Sequence, residues 1–142
     1  IHKPTCLTMN PSDINYLAVA VAAVSSFGIG ALWYSPALFG KAWMRENGLS
    51  EEKIRNSNMA LIFGVSFLLS VIISFNLAAF LGKDAGLAWG LTAGGLAGIG
   101  WVAASLGILY LFERKSFRLF LINAGYQAVT YVVAGGIIGA WQ

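Results

Sequence analysis

Four stretches without a charged side chain divide this chain, at residues 14–34, 57–82, 85–112 and 119–142. Each reaches the ~20 apolar residues that a helix needs to cross ~30 Å of hydrocarbon at 1.5 Å per residue. Inside a bilayer no water satisfies the backbone, so each stretch is expected to be an α-helix. The third is longer than a span requires and is expected to tilt or to extend past the headgroups. The predicted fold class is therefore all-α, an integral membrane four-helix bundle forming one domain over residues 9–142.

Composition agrees. Apolar residues make up 58% and charged residues 11% of the 142, against about 45–50% and about 25% in soluble domains. Mean hydropathy is +0.72. So few charges cannot dress a soluble surface, which excludes a soluble globular domain and a disordered chain. Cys6 is the single cysteine, so no intrachain disulfide can form. Residues 1–8 read as an upstream extension or disordered leader, with Met9-Asn-Pro-Ser-Asp13 reading as a natural start.

The charges give an orientation. The 35–56 connector holds Lys41, Arg45, Lys53 and Arg55, and the 113–118 connector holds Arg114, Lys115 and Arg118. Lys3 and Lys83 fall on the other side. The positive-inside rule then places both basic loops in the cytoplasm and both termini outside. Aromatic residues mark both interfaces: Tyr16, Phe80, Trp89 and Trp141 outside, and Trp33, Tyr34, Trp43, Tyr110 and Phe117 inside. Trp101 falls near mid-helix, where its indole N–H should find a polar partner.

The first connector carries its own signals. Ser35-Pro36 reads as N-cap and first helical position. A short amphipathic cytoplasmic helix over 37–46 follows, ended by Asn47-Gly48. Ser50 can cap the next helix, with Glu51 and Glu52 at the positive end of its dipole. That helix is expected to start in water and run straight into the membrane.

Small residues recur at four-residue spacing, most regularly at Gly86, Gly90, Gly94 and Gly98. Such a row lets two helix backbones approach closely. As a helix-packing seam it serves either packing within the bundle or a homo-oligomer interface of glycine-zipper type.

The chemical inventory is sparse. None of the four stretches carries Asp, Glu, Lys, Arg or His, the residues that mark proton relays and ion-coupled carriers. His2 is the only histidine, so neither a Ser-His-Asp set nor a metal-ligand motif can be assembled. No catalytic, cofactor-binding or metal-binding residue is expected, and the chain is read as not an enzyme. Its polar residues are neutral. Asn123, Gln127 and Thr130 share a face of the fourth helix, with Tyr126 beside them. Asn123 lies roughly 9 Å and Gln127 roughly 15 Å inside the cytoplasmic end. Ser26, Ser66, Trp101 and Ser105 fall at similar depths. This polar layer serves either interhelical hydrogen bonds or a small cavity open to the cytoplasm.

A second group forms a rim: Lys41, Arg45, Glu113, Arg114, Lys115 and Arg118. It serves as positive-inside anchoring or as a site for anionic headgroups, each cation near such a surface adding about 1 kcal/mol. The basic residues sit in short connectors rather than on a stripe with exposed aromatics, so the expected partners are anionic lipids and no nucleic acid.

The segment Gly30-Ala-Leu-Trp-Tyr-Ser-Pro-Ala-Leu-Phe-Gly-Lys-Ala-Trp-Met-Arg45 resembles the bacterial domain-of-unknown-function family 1761. So do Asn15-Tyr-Leu-Ala-Val, Asn58-Met-Ala-Leu-Ile-Phe-Gly-Val-Ser-Phe67 and Leu121-Ile-Asn-Ala-Gly-Tyr126. Where this chain has Tyr16 the family pattern often has Trp, an exchange of one amphipathic ring for another. The resemblance implies a four-span inner-membrane protein and brings no activity with it. The expected function is a non-enzymatic oligomeric or accessory subunit of a membrane assembly. The alternative is a channel or carrier for a small neutral or weakly polar solute.

Overall fold

Side-chain caps set where the helices begin. In the computed structural model, which describes residues 14–142, Asn15 Oδ1 accepts from the Ala18 N–H (3.1 Å) and starts α1, Tyr16–Trp33. Asn58 Oδ1 accepts from Leu61 N–H (3.1 Å) and starts α4, Met59–Leu81. Ser116 Oγ accepts from Leu119 N–H (3.1 Å) and starts α7, Phe117–Trp141. A capping oxygen satisfies one of the four N–H groups that a helix start leaves unpaired. Between α1 and α4 lie α2, Gly40–Asn47, and α3, Glu51–Arg55. The third long helix is α5, Leu87–Ala97, continued by a π-helical segment, Gly98–Ala103, and by α6, Ala104–Phe112. The described residues are all-α, and four helices are each long and apolar enough to cross a membrane, the make-up of a multi-pass membrane protein. The expected leader at 1–8 and the Met9 start lie outside the described residues.

Two local expectations are corrected. The helix read over 37–46 begins only at Gly40. The chain first doubles back, with Phe39 N–H donating to Trp33 O and Gly40 N–H to Ser35 O, both at 3.0 Å. A Cβ on residue 40 would collide with the Tyr34 carbonyl oxygen, so this reversal needs glycine. Gly48, at φ +65°, ends α2 in the left-handed region that glycine adopts without strain. The second correction concerns the helix capped by Ser50, which stops at Arg55 instead of running on. Asn58 takes the Leu61 N–H for itself and starts a new helix, the usual way that Asn competes with helix continuation.

At the heart of the packing is α7, which touches α1, α2, α4, α5, the π-helical segment and α6. Its closest partner is α5, which runs antiparallel to it. A Cβ on Gly90 would collide with the Gly135 carbonyl oxygen, one on Gly94 with that of Tyr131, and one on Gly139 with that of Gly86. The glycine row of α5 and its own row on α7 thus bring backbone against backbone within one chain. Gly98 continues the seam, where a Cβ would lie 2.9 Å from Tyr131 Cβ.

The core is built from small residues. Ala18, Val19 and Ala22 of α1 meet Leu77, Ala78 and Leu81 of α4, Ala93 of α5, and Ala134 and Ile138 of α7. All of these lie toward the end away from the basic loops. Toward the basic end α4 and the third span part. No residue of 59–73 and none of 99–112 is buried. The bundle is therefore closed at one end and opens as a wedge at the other.

Candidate functional site: a polar junction at the basic end

The wedge is floored by α7, and the polar groups around it are arranged about Asn123. Its Oδ1 accepts from the Tyr34 hydroxyl and its Nδ2 donates to the Tyr110 hydroxyl, both at 2.7 Å. One carboxamide thereby joins the ends of α1 and α6 to α7. Tyr34 lies one residue past α1, and burial holds its hydroxyl well above the ordinary phenol range, with the neighbouring Tyr126 and Tyr110 adding to this. It stays protonated and available as the donor.

Three further links tie α1 to α7. The Tyr126 hydroxyl donates to the Ser26 carbonyl (3.0 Å), and the Trp33 indole N–H donates to the Ile122 carbonyl (2.9 Å). Tyr34 stands edge-on to both Tyr126 and Trp43, at ring separations of 5.2 and 5.6 Å. Glycines admit these rings: a Cβ on Gly30 would lie 3.2 Å from the Tyr126 hydroxyl, and one on Gly125 would lie 3.0 Å from Trp33 Cζ2. Trp43, read from sequence as an interface aromatic, and Phe39 are turned to the chain's own rings, Phe39 lying 4.9 Å from Trp33.

The residues of the expected polar layer divide into four groups. Asn123 and Tyr126 bridge helices. Ser26 and Thr130 are buried and donate to carbonyls of their own helices, Ala22 (3.2 Å) and Tyr126 (2.7 Å). Gln127 and Ser66 are half-buried. Gln127 shares the α7 face that Ala134 and Ile138 turn to α4 nearer the closed end. Its carboxamide makes no hydrogen bond within the described residues.

Trp101 and Ser105 are not part of the junction. Trp101 is 67% exposed, its ring edge-on to Phe80 at 6.3 Å, and Ser105 is exposed. The indole N–H does not find the polar partner expected of it. The cause is the π-helical segment: a π-turn takes more residues than an α-turn, so counting at 3.6 from Gly98 assigns Trp101 to the wrong face. Periodicity gave no warning of it.

Around the junction lies the rim. Lys115 Nζ sits 5.3 Å above the Tyr110 ring and 3.6 Å from Glu113 Oε2. Lys41, Arg45, Arg114 and Arg118 are exposed and form no ion pair among the described residues. Arg114 turns the chain between α6 and α7 with φ +58°. Since α2 rests on α7, Lys41 and Arg45 come to the same end of the molecule as the 113–118 turn.

A second polar cluster, at the closed end, was not foreseen from sequence. Gln142 Nε2 donates to the Ala78 and Gly82 carbonyls (2.9 and 2.8 Å), while its Oε1 accepts from Asn15 N–H (3.1 Å). Asn15 Nδ2 donates to the Trp141 carbonyl (3.2 Å). One side chain thus clasps α1, α4 and α7. The available signal was a lone Gln and a lone Asn, each at the edge of an apolar run.

Both clusters consist of neutral donors and acceptors that hold helices together. Among the described residues, no three His, Cys, Asp or Glu lie close enough to hold a metal ion. In comparison with known proteins, the family model described as a protein of unknown function (DUF1761) matches residues 17–139. No curated protein and no solved structure matches.

Proposed function

We propose, from the premise that this chain belongs to the DUF1761 family of unknown function, that it is a non-enzymatic subunit of an assembly in the bacterial inner membrane. The observation that carries this reading is the wedge. Over half their length α4 and the third span part from each other, with no buried residue in 59–73 or 99–112, while Phe63 and Phe67 of α4 rest on Phe27 of α1 and Tyr110 of α6 is held by Asn123 of α7. Helices that separate inside a bilayer leave a gap that another helix can fill by packing, the contact that drives association where the hydrophobic effect is absent. The polar groups best placed to line a conduit, Asn123 and Tyr126, are already paired within the chain. In this reading the basic loops face the cytoplasm and both termini face out. The cations of the rim then hold that end against anionic headgroups.

The test is the native mass of the protein extracted gently from its own membrane without overexpression. A mass of several chains, alike or different, is expected. A single 15.1 kDa chain in its detergent belt overturns the reading.

One observation favours a second reading, a carrier for a small neutral solute. Gln127 turns an unpaired carboxamide toward the wedge, and the π-helical segment Gly98–Ala103 lies across from it on the third span. π-turns recur at functional sites. Gln127→Leu would then abolish flux of such solutes into vesicles while leaving the fold intact. Unchanged flux, or none with the unmodified chain, removes this reading.

A further inference from the structure

Three carboxamides lie within the long helices, and they are treated very differently. Asn123 uses both its oxygen and its nitrogen. Gln127 is half-buried beside the wedge. Asn76 is exposed and makes no hydrogen bond within the described residues. Ser74, Leu77, Ala78 and Leu81 form the buried face of α4, and at 3.6 residues per turn Asn76 points to the opposite side. It stands five residues before the end of α4, about 8 Å along the axis. In a spanning helix that places a bare carboxamide in hydrocarbon, where an unpaired polar group is costly.

The residues beside it are ordered. Ile62, Leu69 and Asn76 repeat every seven positions. Val65 and Ile72 repeat every seven positions between them. All four apolar members are about half exposed, at 46–53%. A seven-residue repeat of this kind has the spacing of a two-stranded coiled-coil seam, and one Asn in such a seam specifies register and partner number.

We propose that this face of α4 packs against the same face of a second copy of the chain, the two Asn76 carboxamides hydrogen-bonding to each other across a two-fold axis along the membrane normal. The inference rests on the membrane-assembly reading above and names the partner. Three arguments select a second copy. Copies inserted in one orientation present α4 in parallel, so both Asn76 residues arrive at the same depth automatically. A carboxamide carries donor and acceptor together and so complements itself, as a residue next to a two-fold axis must. The stripe also lies opposite the buried face of α4, so pairing leaves the bundle of each copy intact.

The experiment is disulfide crosslinking in native membranes, with Cys6→Ser as background. Ile72→Cys lies in the seam. Val71→Cys, packed against the chain's own core, is the control. A dimer crosslinked at 72 and absent at 71 is expected. Adding Asn76→Leu should weaken the dimer roughly five- to tenfold, the worth of two average interhelical hydrogen bonds in a membrane, and Asn76→Gln should restore most of it. Asn76 bonds to nothing among the described residues, so their fold is not at stake, and crosslinking of Ile72→Cys alone still decides. No crosslink at 72, equal crosslinking at 71, or a dimer indifferent to Asn76→Leu each overturns the proposal. A native complex containing other chains without the 72 crosslink overturns the dimer and leaves the assembly reading standing. A native mass of one chain overturns both.

Discussion

Asn123 shows what a single residue contributes to this fold. It is the sole direct link between the Tyr34 and Tyr110 hydroxyls, so its removal unpairs two groups at once, one just past α1 and one on α6. Interhelical hydrogen bonds in membranes average about 0.6 kcal/mol and reach about 1.7. Asn123→Leu should therefore lower stability by about 1–2 kcal/mol, read as a shift of reversible unfolding in mixed detergent micelles. Tyr110→Phe alone should cost about 0.6 kcal/mol, and almost nothing when added to Asn123→Leu, because its partner is already gone. Full additivity of the two would mean that the bond contributes nothing. Ser105→Ala, at an exposed position outside the junction, should leave the unfolding curve unchanged. Since all members of the junction are neutral at ordinary pH, the effect of Asn123→Leu should be the same at pH 6 and pH 8.

At the scale of elements, the α5–α7 pair carries the tightest constraint. Its backbones approach so closely that even a methyl group must displace a carbonyl at Gly90 or Gly94. Gly94→Ala is expected to cost about 1–3 kcal/mol, the usual penalty of overpacking, in the thermal stability of the detergent-solubilised chain. Gly64→Ala, where a Cβ meets nothing within 4 Å, should change stability by no more than about 0.5 kcal/mol. Equal effects would mean that the two helices do not meet along this seam. Of the row Gly86, Gly90, Gly94 and Gly98, the close approach at Gly90, Gly94 and Gly98 was legible in the sequence from their common spacing, whereas Gly86 stands before α5 at φ +82° with open space where a Cβ would lie. The partner of the row was not, since a stripe of small residues says that something comes close and leaves open what it is. The long helices were legible from the absence of charge. The break at Asn58 and the late start of α2 at Gly40 were not, because each depends on where one side chain or one chain reversal takes a backbone group. The π-helical segment escaped for another reason: its sequence, Gly-Ile-Gly-Trp-Val-Ala, satisfies an α-helical count equally well. Tyr34 and Tyr110 were read as interface aromatics; that one Asn joins them depends on how α1 and α6 lean on α7, which no local pattern encodes.

The whole molecule is asymmetric along its axis, closed by the Gln142 clasp at one end and open among seven cations at the other. Which end faces the cytoplasm follows, in the reading proposed here, from counting Lys and Arg near the span ends. The count can be changed in steps. Replacing Arg114, Lys115 and Arg118 with Gln leaves Lys41, Arg45, Lys53 and Arg55 against Lys3 and Lys83. The larger number still lies in the first basic loop, so orientation should hold. Attraction to anionic vesicles should fall by about 3 kcal/mol, at about 1 kcal/mol for each charge near the surface. Replacing all seven leaves Lys3 and Lys83 alone, and the orientation should invert. Cysteines placed singly at Gly48 and Asp84, with Cys6→Ser as background, report this through labelling of intact cells by a membrane-impermeant thiol reagent. In the unmodified orientation only residue 84 should label, in the seven-charge variant only residue 48. Were residue 84 alone to label in both, the basic loops would not set the orientation. Their cations would then act at the membrane surface and not during insertion. The wedge would still open toward that surface, because its geometry depends on where α4 and α6 part from each other and not on the charges beyond them.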